Sequence, residues 1–319
     1  MRLLGGLAFF IVVQFPMDLW AQSGTKGGVF VKRRPSPGLG EVDREIPGER
    51  PLLGIAGYDP VSVRVNQPVV GQPAWVSTFD SQQYRFASAE NKKTFDSNPV
   101  RYAPVLSGWC LVTWHDDKLL KPGNPNQATI QDQRLYLFAG EKEKQAFLAD
   151  PKKYVEADLL LGGLSPVSLV DQQQSIKGLA TFETIFEGWR VRFVNDAERS
   201  KFQNNVGKYY PTFAGADPIA LFQGQVRMGD PNLAFHYKNR LYLFANAENA
   251  DKFRIEYKAY SDLDVAEQGI CLVTLKERGV RQLGRYAITT MYLGRRFLFV
   301  SDDARKKFEN NPQTYFQPK

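Results

Sequence analysis

The strongest metal ligands and nucleophiles in this 319-residue sequence are two cysteines, Cys110 and Cys271, and two histidines, His115 and His236. Thiolates and imidazoles hold zinc or copper only when several of them converge on one ion. His115 follows Cys110 by five residues, but His236 falls in a different setting, and nothing in the spacing brings it near. Nor does the sequence carry a Gly-rich phosphate loop, a Gly-x-Ser-x-Gly elbow, or a Cys with His and Asn in a protease-like arrangement. Two carboxylate pairs remain. Asp116-Asp117 reads as part of a loop, and Asp302-Asp303 as the first turn of a helix, where the helix dipole accounts for it. No catalytic, cofactor-binding or metal-ligating residue follows from these patterns, and the chain reads as non-enzymatic.

The two cysteines sit in matching strings, Gly-x-Cys-Leu-Val-Thr at residues 108–113 and 269–274. In an exported protein an even pair can form a disulfide, worth a few kcal/mol. A bridge needs Cα atoms within about 7 Å, whereas equivalent positions in different repeats are normally a whole unit apart. The spacing therefore favours two small buried hydrophobes over a bridge. Each is expected to open an apolar strand and to point into its own unit.

The elements around them follow one aromatic frame that recurs five times: a Phe at a strand end, a second Phe nine residues on, and a Tyr seven beyond that. Its members are Phe86, Phe95 and Tyr102; Phe138, Phe147 and Tyr154; Phe193, Phe202 and Tyr209; Phe244, Phe253 and Tyr260; Phe299, Phe308 and Tyr315. Steps of 52, 55, 51 and 55 residues between frames mean one supersecondary unit repeated. Alternating residues before each first Phe, and turn formers such as Asp80-Ser81, Glu187-Gly188 and Lys238-Asn239, predict a β-hairpin per unit. Ser88, Gly140, Asn195, Asn246 and Ser301 then stand where a helix N-cap belongs. That helix should bury the second Phe and end at Asn98-Pro99, Asp150-Pro151 and Asn311-Pro312. The expected fold class is α+β: five tandem small units, each a β-hairpin with an entrance strand followed by a short helix, packed as a repeat array. Packing alone explains the aromatics, which are core rather than ligand contacts.

Residues 1–23 read as a signal peptide, with Arg2, an apolar run and small residues at Ala21-Gln22-Ser23. The run is too short to span a bilayer, so secretion or a periplasmic location is expected, with no transmembrane segment after cleavage. Residues 24–53, rich in Pro and Gly with a basic Lys32-Arg33-Arg34 triplet, read as a disordered linker. Units 1 and 2 then occupy 54–157, unit 3 158–213, and units 4 and 5 214–319. By their entrances, units 1 plus 2 resemble units 4 plus 5, with unit 3 between. The formal charge of +7 is dispersed; it suits solubility or an acidic cell-envelope partner, with a protein partner as the other choice and nucleic acid not expected.

At this point the residues resemble the YHS domain family. Gly57-Tyr58-Asp59-Pro60-Val61-Ser62, Tyr84-Arg85-Phe86-Ala87-Ser88-Ala89-Glu90-Asn91, Phe95, Asn98-Pro99, Tyr102-Ala103-Pro104 and Gly108-Trp109-Cys110 look like its exported bacterial members. Unit 1 is the near match, and the other units follow at decreasing quality. The resemblance implies heavy-metal handling through a Cys after the Asp-Pro-Val entrance and Cys residues at the strand-to-helix junction. This chain has Ser62 and Ser168 at the former, and Ala87, Ala139, Val194, Ala245 and Val300 at the latter. The expected function is an exported, non-enzymatic YHS-like repeat protein acting as a binding or scaffolding module. A copper- or zinc-handling protein and an unrecognised enzyme are the alternatives.

Overall fold

The structure is a computed structural model that describes residues 50–317. The signal peptide and most of the linker expected from the sequence lie outside the described residues. The last part of that linker, however, belongs to the fold. Arg50 is buried and Leu53 pairs with Gln83, so the ordered chain begins before the boundary the composition indicated.

Five antiparallel hairpins carry the frame: Gln72–Phe79 with Gln82–Phe86, Asn124–Gln131 with Arg134–Phe138, Leu179–Phe186 with Trp189–Phe193, Asp230–Tyr237 with Arg240–Phe244, and Arg285–Tyr292 with Arg295–Phe299. Both central residues of every turn have positive φ, from Asp80 at 47° and Ser81 at 68° to Leu293 at 52° and Gly294 at 79°. This is the mirror-image turn whose twist matches that of the strands it joins.

The frame helices are Ala89–Ser97, Glu141–Ala149, Asp196–Asn204, Ala247–Tyr260 and Asp302–Asn310. Ser88, Asn195, Asn246 and Ser301 each accept a hydrogen bond from the backbone three residues on, as caps should, while Gly140 has no side chain to offer. Asn98-Pro99, Asp150-Pro151 and Asn311-Pro312 end their helices and start a second short one, at Pro99–Tyr102, Pro151–Tyr154 and Pro312–Tyr315. Unit 3 has lost the proline, yet Asn205 still caps a new turn at Val206–Tyr209. Unit 4 has neither proline nor cap there, and its helix runs on to Tyr260 with only a kink at Glu256.

The entrance segments differ from the expected strands. They are short helices at Pro60–Arg64, Leu111–Asp117, Pro166–Asp171, Pro218–Phe222 and Leu272–Arg278. An apolar run this short does not distinguish strand from helix. What decides it is local: Asp59, Ser165 and Asp217 cap the first turn, and proline follows at a position where it costs no hydrogen bond. Cys110 and Cys271 hold the matching cap position in units 2 and 5, and so do not open strands. Asp116-Asp117 accordingly lie on the second of these helices and not in a loop, and His115 is on the same helix.

Both Phe of every frame are fully buried, with ring centroids 5.1–5.3 Å apart within each pair. Tyr154, Tyr209 and Tyr260 are buried as well, while Tyr102 and Tyr315 are half-exposed. A tight turn precedes each entrance helix and puts three successive residues in the left-handed region, for example Phe213 at 53°, Ala214 at 53° and Gly215 at 92°. The turns of units 1 and 2 pack together, as do those of units 3 and 4. In this alternation unit 5 stands at the end of the series.

Ion pairs tie the units in the other register. Asp158 binds Arg190 of its own unit and Arg134 of unit 2, and Asp264 binds Arg296 of its own unit and Arg240 of unit 4. The hairpin tips of units 1, 3 and 5 then meet around Arg50. Its guanidinium contacts Asp80 at 2.9 Å, Glu187 at 3.0 Å and the Ser107 hydroxyl at 2.8 Å, and its backbone N–H donates to Leu293 O. Glu187 also accepts from the Gly294 N–H at 2.6 Å, so one carboxylate joins units 3 and 5.

Candidate functional site

In units 1, 3 and 4 the start of the entrance helix is hydrogen-bonded to the strand-to-helix junction, at Ala87, Val194 and Ala245. In unit 1, Asp59 is wholly buried and accepts from Val61 N and Ser62 N through one oxygen, and from Ala87 N and the Asn91 amide through the other. Ser62 donates back to Asp59 O. Ser62 and Ala87, the positions weighed above for thiolates, are thus brought together, but as parts of a hydrogen-bonded lock around one carboxylate. Unit 4 repeats it with Asp217, Ile219 N, Ala220 N, Ala245 N and Asn249. Unit 3 inverts the polarity of the lock: Ser165 and Ser168 donate to Glu198, which reaches in from the frame helix. A buried carboxylate is tolerated when its lone pairs are filled in this way.

In units 2 and 5 the lock is replaced by the thiols. Both are free and fully buried, Cys110 in the core shared by units 2 and 3 and Cys271 in that of unit 5. The Thr274 hydroxyl lies 3.3 Å from Cys271 Sγ. Neither histidine joins a thiol. His115 packs edge-on against Tyr154 with Nδ1 2.9 Å from Asp116, and His236 lies in the outer strand of the fourth hairpin, where desolvation and the Lys208 charge push its imidazole below the usual value. Hydrogen bonds from Lys153, His115 and Tyr154 hold the Asp116 carboxyl at about 2, a surface ion-pair cluster. Among the described residues, no group of three or more His, Cys, Asp or Glu is placed to hold a metal ion.

A second feature was not visible in the sequence. Between units 2, 3 and 4 lies a cleft of roughly 350 Å³ floored by Trp114 and Trp189, whose rings meet edge-to-face with centroids 5.2 Å apart. The Trp114 indole donates to Ala157 O at 3.1 Å, which fixes its plane. Leu161, Ala214, Met228 and Pro231 form the apolar walls, and His115, Lys118 and Glu156 the rim. This volume and lining fall in the range of small-molecule sites.

Glycines position these walls. Gly215 has φ +92°, and Gly229 lies so close to Leu243 that an added Cβ would come within 2.3 Å of its side chain. The same two places are glycine in every unit, at Gly57 and Gly71, Gly108 and Gly123, Gly163 and Gly178, and Gly269 and Gly284, each pair joined by a backbone hydrogen bond of 2.8–2.9 Å. That regular spacing is the signal from which the tight turns could have been found. The cleft itself has no comparable signal, because its walls come from three units with different side chains. A comparison with protein-family models, curated proteins and solved structures finds no match for this chain.

Proposed function

We propose that the protein is an exported, non-enzymatic binding module built on YHS-like repeats, and that the cleft over Trp114 and Trp189 is its ligand seat. The observation that carries this reading is the contrast between the polar groups and the cleft. The buried carboxylates are held by backbone, amide and hydroxyl donors or by arginine. The cleft, in contrast, presents aliphatic surface from Leu161, Met228 and Pro231 over two buried indoles, beside a half-exposed imidazole. Such a surface fits a small, flat, mostly apolar ligand, with the rim fixing its orientation. The resemblance to exported YHS proteins and the leader-like residues 1–23 support export. Among the described residues, no helix is long and apolar enough to cross a membrane.

Saturation-transfer NMR with a panel of indole and naphthyl fragments tests the proposal on the mature protein. Fragments should bind the wild type and lose that binding in Met228→Trp, which fills the cleft. A panel that binds neither protein, or both equally, would sink the ligand seat. About one zinc or copper per chain surviving dialysis against a weak chelator would favour the metal-handling alternative.

A further inference from the structure

The turn of the fourth hairpin carries Lys238, an exposed residue whose φ of 48° puts it in the left-handed region. Its ammonium lies over three tyrosine rings from three separate elements. Tyr286 of the fifth hairpin is 4.7 Å from Nζ to ring centroid, Tyr237 of the fourth hairpin 5.4 Å, and Tyr257 of the fourth frame helix 6.0 Å. No carboxylate of the described residues lies within ion-pair distance of this ammonium, so the rings are its near neighbours. The box is built rather than accidental. Tyr237 and Tyr257 pack at 5.0 Å, and the Tyr286 hydroxyl donates to Asp262 at 2.9 Å. Arg240 stacks under Tyr286 at 4.8 Å and is neutralised by Asp262 and Asp264. Asp262 is thus already paired with Arg240, and the Lys238 charge acts on the same carboxylate only through space.

We propose that Tyr237, Tyr257 and Tyr286 form a binding site for a quaternary ammonium group, such as the trimethylammonium end of an organic cation, and that Lys238 is the tethered cation filling it in the free protein. The argument is one of hydration. Aromatic faces attract any cation, but a primary ammonium retains strong interactions with water that a methylated one lacks. Lys238 sits on an exposed turn and can swing out without disturbing the strands on either side. A methylated ammonium would thus displace it and leave the turn intact. This site is independent of the cleft over Trp114 and Trp189, and either can fail without the other.

The test uses Lys238→Asn, since asparagine accepts the left-handed turn conformation. Tetramethylammonium chloride is titrated into the mature protein by NMR or calorimetry, with ammonium chloride at equal ionic strength as the control. The variant should bind tetramethylammonium saturably and about tenfold more tightly than the wild type, a difference near 1.4 kcal/mol. Adding Tyr257→Ala should abolish that binding, with circular dichroism reporting that the fold is kept. Absence of saturable binding to Lys238→Asn, or binding that survives Tyr257→Ala, would overturn the proposal.

Discussion

At the residue scale, the aromatic frame was legible because it is redundant. Five Phe-Phe-Tyr sets at fixed spacing specify a buried face wherever they occur, and all ten Phe are fully buried. The second Phe of each unit touches the first and, in four units, a further ring from the same inner strand, such as Tyr136 against Phe147 at 4.8 Å. Phe147→Ala should therefore cost about 3–5 kcal/mol in urea unfolding, the usual range for emptying an aromatic site in a core. A loss under about 1 kcal/mol with the fold intact would mean that this ring is not structural. The thiols were legible in part. Their matching strings implied equivalent buried places, which they have, but the cap role of the position was hidden because cysteine is not a capping residue.

At the scale of elements, hairpin turns and N-caps could be read because each depends on a few adjacent residues. Entrance helices could not, since a partly apolar run of five to seven residues suits either geometry until the cap and proline are weighed. The end of the series is also an element-scale feature. The first left-handed position of the tight turn is Ile55, Leu106, Leu161 and Phe213 in the four paired units, but Glu267 in the fifth, followed by an exposed Gln268. Val170 of unit 3 likewise corresponds to the exposed Lys276 of unit 5. A terminal repeat that lacks a partner needs a polar outer face. Glu267→Leu with Lys276→Val restores the side chains that unit 3 presents to unit 4. The double variant should self-associate at micromolar concentration in sedimentation velocity while the wild type does not. Identical sedimentation of the two would show that these polar residues are not what keeps the end closed.

At the scale of the whole molecule, the array is joined by charges that no sequence pattern announced, because Arg50, Asp80 and Glu187 are 30 to 137 residues apart. Burial pushes the Glu187 carboxyl up, and Asp80 adds to the shift; Arg50 opposes both. A carboxylate raised in the folded state favours folding below its unfolded value, and this contribution is lost as pH rises through the folded one. Glu187 ionised is thus tolerable chiefly because Arg50 lies beside it. Arg50→Met keeps much of the apolar stem but leaves the buried Glu187 carboxylate beside the part-buried Asp80 with no cation between them. Breaking a buried pair from one side costs about 3–5 kcal/mol. The loss should be larger at pH 8 than at pH 5, because the raised Glu187 carboxyl moves toward its neutral form, which needs no Arg50, as pH falls. Urea unfolding of both proteins at the two pH values measures the difference. A penalty of equal size at both would assign the role of Arg50 to packing at the junction of the odd-numbered hairpins rather than to its charge.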